Sequence, residues 1–170
     1  LTLVNVSVPN TFTKTGVLTS QTLLSFTGQA AGNTVTLTKV KFGSPTFTGG
    51  MAWSNVTALY LYEGATLIAT KNAPADADFS TAADGNVEFD AADLTNRQIA
   101  AAGTKTYTLK ADLNLGAGHA MTVSLAPSPI AGPTWDVQAT GTVTGLTNLH
   151  TIADSIVVSG GAITKTHTTP

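Results

Sequence analysis

The 170-residue sequence contains no cysteine. Small secreted domains often lean on disulfides, so this chain must take its stability from a core, from attached sugars or from assembly. Charge is the second shortage. Asp, Glu, Lys and Arg make up 11% of the residues and leave a net charge of −2, against roughly a quarter charged in an ordinary globular domain. The few basic residues are scattered, with Lys39 and Lys41 the nearest thing to a cluster. Neither a nucleic-acid footprint nor a polybasic membrane patch can be built from them. No run approaches the roughly 20 apolar residues of a membrane-spanning helix, and no membrane insertion is expected. An initiating methionine is also missing. The chain starts at Leu1 and enters strand-like sequence at once, the start expected of a secreted chain after processing or of a piece cut from a longer one.

What is present belongs to a folded β-protein. Apolar residues reach 42%, and mean hydropathy is +0.18, well above the range of disordered chains. The length suits one well-buried core. The expectation is a single domain over residues 1–170, with 1–10 as a terminal strand. Threonine replaces much of the missing charge, with 31 residues. It is β-branched and fits a pleated strand while keeping a hydroxyl for water. A threonine-rich, charge-poor face also suits contact with other protein, because little charge repels an approaching copy.

Period-two alternation dominates. Tyr107, Leu109, Ala111 and Leu113 share one face of a strand and Thr106, Thr108, Lys110 and Asp112 the other. Trp135, Val137, Ala139 and Val143 form another inward set, as do Met121, Val123 and Leu125. Such strands have one buried and one wet face. The run from Val56 to Tyr62 is nearly apolar throughout and is expected to be covered on both faces. In Val35, Leu37, Val40 and Phe42 the phase shifts near Thr38–Lys39, as a β-bulge shifts it. The first strand shifts likewise between Leu3 and Val4. Turn signals such as Pro9-Asn10, Gly49-Gly50 and Glu63-Gly64 separate the runs. About ten strands result, near residues 2–8, 22–28, 34–42, 56–63, 65–70, 86–90, 104–113, 119–126, 134–144 and 155–164. The fold expected is all-β, a two-sheet sandwich. Only residues 90–102 look helical, with Asp90 as a cap, and they are read as a loop. Residues 46–51 and 71–83 are read as the other long connections.

The stretches Leu23-Leu24-Ser25-Phe26, Asn33-Thr34-Val35-Thr36-Leu37 and Val56-Thr57-Ala58-Leu59-Tyr60-Leu61-Tyr62-Glu63-Gly64 follow one another in a familiar order. Gly85-Asn86-Val87-Glu88-Phe89 and the run from Ala102 to Asp112 continue it. Over residues 17–126 the chain resembles Ig-like sandwich domains of prokaryotic cell-surface proteins. The resemblance implies an Ig-like or jelly-roll sandwich at the cell surface. Such domains occur in S-layer proteins, adhesins and fibres, including camelysin-like matrix fibres and archaeal bundling pilins. In the fibre group, the resemblance implies, each subunit donates a β-strand to its neighbour and other copies of the chain are the partners.

The candidate joining strand is Leu1, Leu3, Val4, Val6 and Val8, an apolar terminal strand cut off by Pro9-Asn10. Strand addition supplies backbone hydrogen bonds and buries side chains. Five buried aliphatic side chains at roughly 1.5–3 kcal/mol each would make a strong joint. The competing readings are an ordinary first strand of a closed monomer and donation by the strand around Ile156, Val157, Val158 and Ile163. Two sequons, Asn5-Val6-Ser7 and Asn55-Val56-Thr57, are candidate sites for covalent glycans. Asp76, Asp78 and Asp84 share one loop, with Asp90 and Asp93 after it, and are the nearest approach to a calcium set. They lack EF-hand spacing, and no metal or other cofactor is expected. His119, His150 and His167 form no zinc pair. No serine lies in a nucleophile elbow, and Glu63 and Glu88 are the only glutamates, so no enzyme is expected. Trp53, Trp135, Tyr60, Tyr62 and Tyr107 are candidates for a sugar platform. Tyr107 and Trp135 fall on inward faces, and Trp53, near Gly49-Gly50, is the one expected to be exposed. The leading expectation is a filament subunit serving adhesion or biofilm. An S-layer or adhesin module and a carbohydrate-binding module are the alternatives.

Overall fold

The alternation of small polar and large apolar residues becomes strand after strand. The computed structural model describes residues 2–6, 16–72, 87–116, 119–125, 137–139 and 144–145. Their strands are β1 (Thr2–Val6), β2 (Gly16–Gln29), β3 (Val35–Thr48), β4 (Val56–Glu63), β5 (Thr66–Asn72), β6 (Val87–Asp90), β7 (Gln98–Ile99), β8 (Thr104–Leu115), β9 (Ala120–Leu125), β10 (Val137–Ala139) and β11 (Thr144–Gly145). A short 3-10 turn at Trp53–Asn55 leads into β4, and the described residues contain no α-helix.

The strands form two sheets. The larger runs in the order β11-β1-β2-β8-β4-β5. All its pairs are antiparallel except β1 with β11. The smaller is organised along β3, which pairs antiparallel with β6, β7, β9 and β10. One apolar cluster joins the two. Leu24, Phe26, Leu61, Leu109 and Leu113 enter it from the larger sheet, and Leu37, Val40, Phe89 and Ile99 from the smaller. Each such side chain contributes roughly 1.5–3 kcal/mol on burial. Every described member of this core lies between Leu23 and Leu115.

Tyr107, Leu109, Ala111 and Leu113 are buried, as the alternation predicts. The expected bulge in β3 is also present. Gln138 pairs with Lys39 and Ala139 with Leu37, so Thr38 is the extra residue and Val35, Leu37 and Val40 all reach the core. The first strand differs. Its register against β2 runs from Thr2↔Gln29 to Val6↔Ser25 without a break. β4 is not covered on both faces either: Leu59 and Leu61 are buried, while Thr57 is exposed and Tyr60 and Tyr62 are half-buried.

Residues 46–48 are strand, where a connection was expected. β3 resumes pairing with β9 at Thr46 after a register break that begins at Gly43. Pro45 lies inside that break, where a residue without an N–H interrupts no ladder bond. Asp90 ends β6, and residues 91–102 hold two turns with the short strand β7 between them. Leu94 and Ile99 are both buried, so their apolar character is real but belongs to two different local structures. The expected strand at 155–164 lies outside the described residues.

Candidate functional site

Directly opposed residues of an antiparallel pair share a face, which places the side chains of β1. Val4 is opposite Thr27 and Val6 opposite Ser25. Across β2, Ser25 and Thr27 meet Thr108 and Thr106 of β8, with hydroxyl contacts of 3.1 and 3.4 Å. Val4 and Val6 therefore lie on the threonine-lined outer face of the sheet. Val4 is 49% exposed and Val6 half-buried in the single chain. In register, Leu3 pairs with Gly28 and Asn5 with Phe26. Leu1 and Val8 lie outside the described residues. β1 is thus paired along one flank of β2, and among the described residues its other flank meets β11 at Thr2 and Leu3.

Further along the same outer face, β4 and β8 bring four polar side chains together. Tyr60 donates its hydroxyl to Asp112 Oδ2 at 2.7 Å. The other oxygen, Oδ1, accepts the Ser20 N–H at 2.7 Å. Lys110 Nζ stands 4.6 Å from the ring centroid of Tyr62. The hydrogen bond to Asp112 raises the Tyr60 pKa, helped by partial burial and by the carboxylate charge.

The other aromatic candidates go elsewhere. Trp53 is half-buried against the core and meets Phe47 edge-on at 5.1 Å. Tyr107 is buried, stacked on Phe26 at 5.2 Å. Its hydroxyl has no hydrogen-bond partner among the described residues, and burial pushes that phenol strongly upward. Trp135 lies outside the described residues. Trp53 and Tyr107 thus serve packing, and only Tyr60 and Tyr62 share an outer face.

Asn55 is built into the turn before β4. Its Oδ1 accepts the Ala52 N–H at 2.9 Å, and its Nδ2 donates to Asn114 O at 3.0 Å. Asp90 Oδ1 accepts the N–H groups of Ala92 and Asp93, which lowers the Asp90 pKa. Asp93 pairs with Lys71 at 2.9 Å. Asp76, Asp78 and Asp84 lie outside the described residues, as do His150 and His167. His119 Nδ1 accepts the Gly116 N–H at 3.1 Å. Among the described residues no three His, Asp or Glu side chains gather to hold a metal ion.

The buried Lys71 was not foreseen from the sequence. It shares strand parity with Ala69, and that alternation was its only signal. Two further ion pairs tie the frame, Lys39–Glu88 at 2.6 Å and Lys105–Glu63 at 2.7 Å. No family model, curated protein or solved structure matches this chain.

Proposed function

We propose that this chain is a structural domain of the cell surface that joins copies of itself by exchanging strand β1. The two sheets are then an Ig-like or jelly-roll sandwich, working outside the cell as a filament subunit. The observation that carries this reading is the place of β1, a terminal strand joined to the flank of β2 by an unbroken ladder. β1 runs along β2 in register from Thr2↔Gln29 to Val6↔Ser25, with Val4 half-exposed on the outer face. A strand added along a sheet through its backbone ladder can keep the same ladder when another copy supplies it. Low charge and a threonine-lined face favour close approach of copies.

The sequence has no cysteine, so an introduced pair reports on β1 without interference. Val4 and Thr27 are register partners. In native assemblies of the Val4→Cys/Thr27→Cys variant, oxidation is expected to link neighbouring chains into covalent ladders on non-reducing gels. Disulfides closed only within single chains would overturn strand exchange.

A further inference from the structure

Lys71 is the one buried charged residue among the described residues, at 3% exposure. β5 carries it inward, in register with the buried Leu59 and at the same parity as the buried Ala69. Its Nζ meets Asp93 Oδ2 at 2.9 Å. The contact runs from the larger sheet to the segment between β6 and β7, both of which pair with β3 of the smaller sheet. Taking both charges out of water is costly. A neutral amine beside a neutral carboxylic acid escapes that cost, and burial favours the neutral form of each. Those are the two forms that condense to an amide.

Both partners are held in place from outside the pair. Asp90 Oδ1 accepts the N–H groups of Ala92 and Asp93, and Asp93 Oδ2 accepts the Asp90 N–H at 2.9 Å. Leu94, the next residue, is buried in the core. The Ile68 carbonyl then accepts the Thr95 N–H at 2.9 Å and the Thr95 hydroxyl at 3.2 Å. Asp93 is thus fastened to the end of β6 on one side and to β5 on the other. Fixed placement of two reacting groups is equivalent to an effective concentration of roughly 10⁵–10⁸ M in well-oriented cases. The Asp90 N–H is also aimed at Oδ2, an oxygen on which negative charge grows when an amine adds to the carboxyl carbon. The Asp93 side chain keeps 23% exposure, which gives a released water a way out.

We propose that Lys71 and Asp93 condense into an intramolecular amide, a covalent tie between the two sheets of a chain that has no cysteine. Nζ adds to Cγ of Asp93. The Nζ–Cγ bond forms and the Cγ–Oδ1 bond breaks. Two of the three ammonium protons leave with Oδ1 as water, and the third stays on Nζ as the amide N–H. An ammonium and a carboxylate become a neutral amide and water, so charge balances and no oxidant or activating group is consumed. Oδ2 becomes the amide oxygen and keeps its bond from the Asp90 N–H. The condensation abolishes the buried charges together with their cost, and it holds whether or not β1 is exchanged.

Mass spectrometry of the full chain, made in a host that adds no glycans and denatured only for the measurement, reads the bond directly. The parent is expected to weigh about 18 Da less than its sequence, the mass of one water. A protease digest is expected to contain one branched peptide joining Lys71 to Asp93. Lys71→Arg keeps the positive charge without the amine, and Asp93→Ala removes the carboxyl carbon from reach. Each is expected to return the full mass of its sequence. A folded parent at full sequence mass would overturn the proposal and leave an ordinary ion pair. A loss of about 18 Da that persists in Lys71→Arg would overturn it equally, since dehydration elsewhere in the chain would then account for the mass.

Discussion

Asp112 of β8 holds Ser20 of β2 in a backbone conformation that L-residues avoid. Ser20 has φ 51°, and its N–H is 2.7 Å from Asp112 Oδ1. Leu18 pairs with Leu113 and Gln21 with Ala111, so Thr19 and Ser20 together stand against Asp112 alone. Through Oδ2 the same carboxylate takes the Tyr60 hydroxyl. One side chain thus fastens β2 and β4 to the central strand β8.

Two substitutions separate the hydrogen bonds from the strain. Asp112→Ala loses both bonds and is expected to cost about 1–3 kcal/mol. Ser20→Gly keeps the N–H donor and relieves the left-handed backbone. That relief outweighs the extra freedom glycine brings to the unfolded chain, and a gain of about 0.5–1 kcal/mol is expected. Urea denaturation of the two variants checks both signs. A destabilised Ser20→Gly would show that its side chain, and not the Asp112 bond, shapes the bulge.

The two tyrosines make opposite demands on their hydroxyls. Tyr60 gives its proton to a carboxylate, whereas the buried Tyr107 hydroxyl has no partner among the described residues. A buried hydroxyl left unpaired costs about 1–3 kcal/mol. Tyr107→Phe keeps the stack on Phe26 and is expected to raise stability by about 1 kcal/mol. Both phenols are raised above the ordinary value of 10.0, so the folded chain holds their protons more tightly than the unfolded chain. Their contribution is complete below pH 10 and is lost as pH climbs toward the raised folded values. Circular dichroism is expected to show an alkaline unfolding transition above pH 10. That transition should move to higher pH in Tyr107→Phe, which has no buried phenol to ionise. An unmoved transition would mean that Tyr107 does not govern it.

These details show where the sequence was legible. Strands whose outer face meets water carry their burial in their alternation, as Tyr107 to Leu113 do. The bulge at Thr38 was readable because a phase shift leaves apolar residues an odd number apart. The place of Val4 was not readable, since hydrophobicity does not say which face of a sheet will be covered. Its outer position follows from its pairing with Thr27, a contact between distant parts of the chain. Lys71 escaped notice for the same reason. A lysine at the end of a short strand reads as solvated until Asp93 is brought to it by the turn after β6.

Asn55 shows how a short motif and a structural role can occupy one residue. As a sequon it would carry a glycan on Nδ2, yet that nitrogen donates to Asn114 O while Oδ1 accepts from Ala52. A glycan replaces one hydrogen of the amide, and the remaining one must still reach Asn114. Asn55→Ala removes both bonds and is expected to cost about 1–2 kcal/mol. Thr57→Ala destroys the same sequon from an exposed position and is expected to stay within about 0.5 kcal/mol of the parent. If the site is glycosylated, both variants lose the same sugar mass from the native protein, and only Asn55→Ala loses the hydrogen bonds as well. Intact mass and urea midpoints of the two variants therefore separate the roles. Equal destabilisation would assign the stability to the glycan and remove Asn55 as the fastening between the turn and β8.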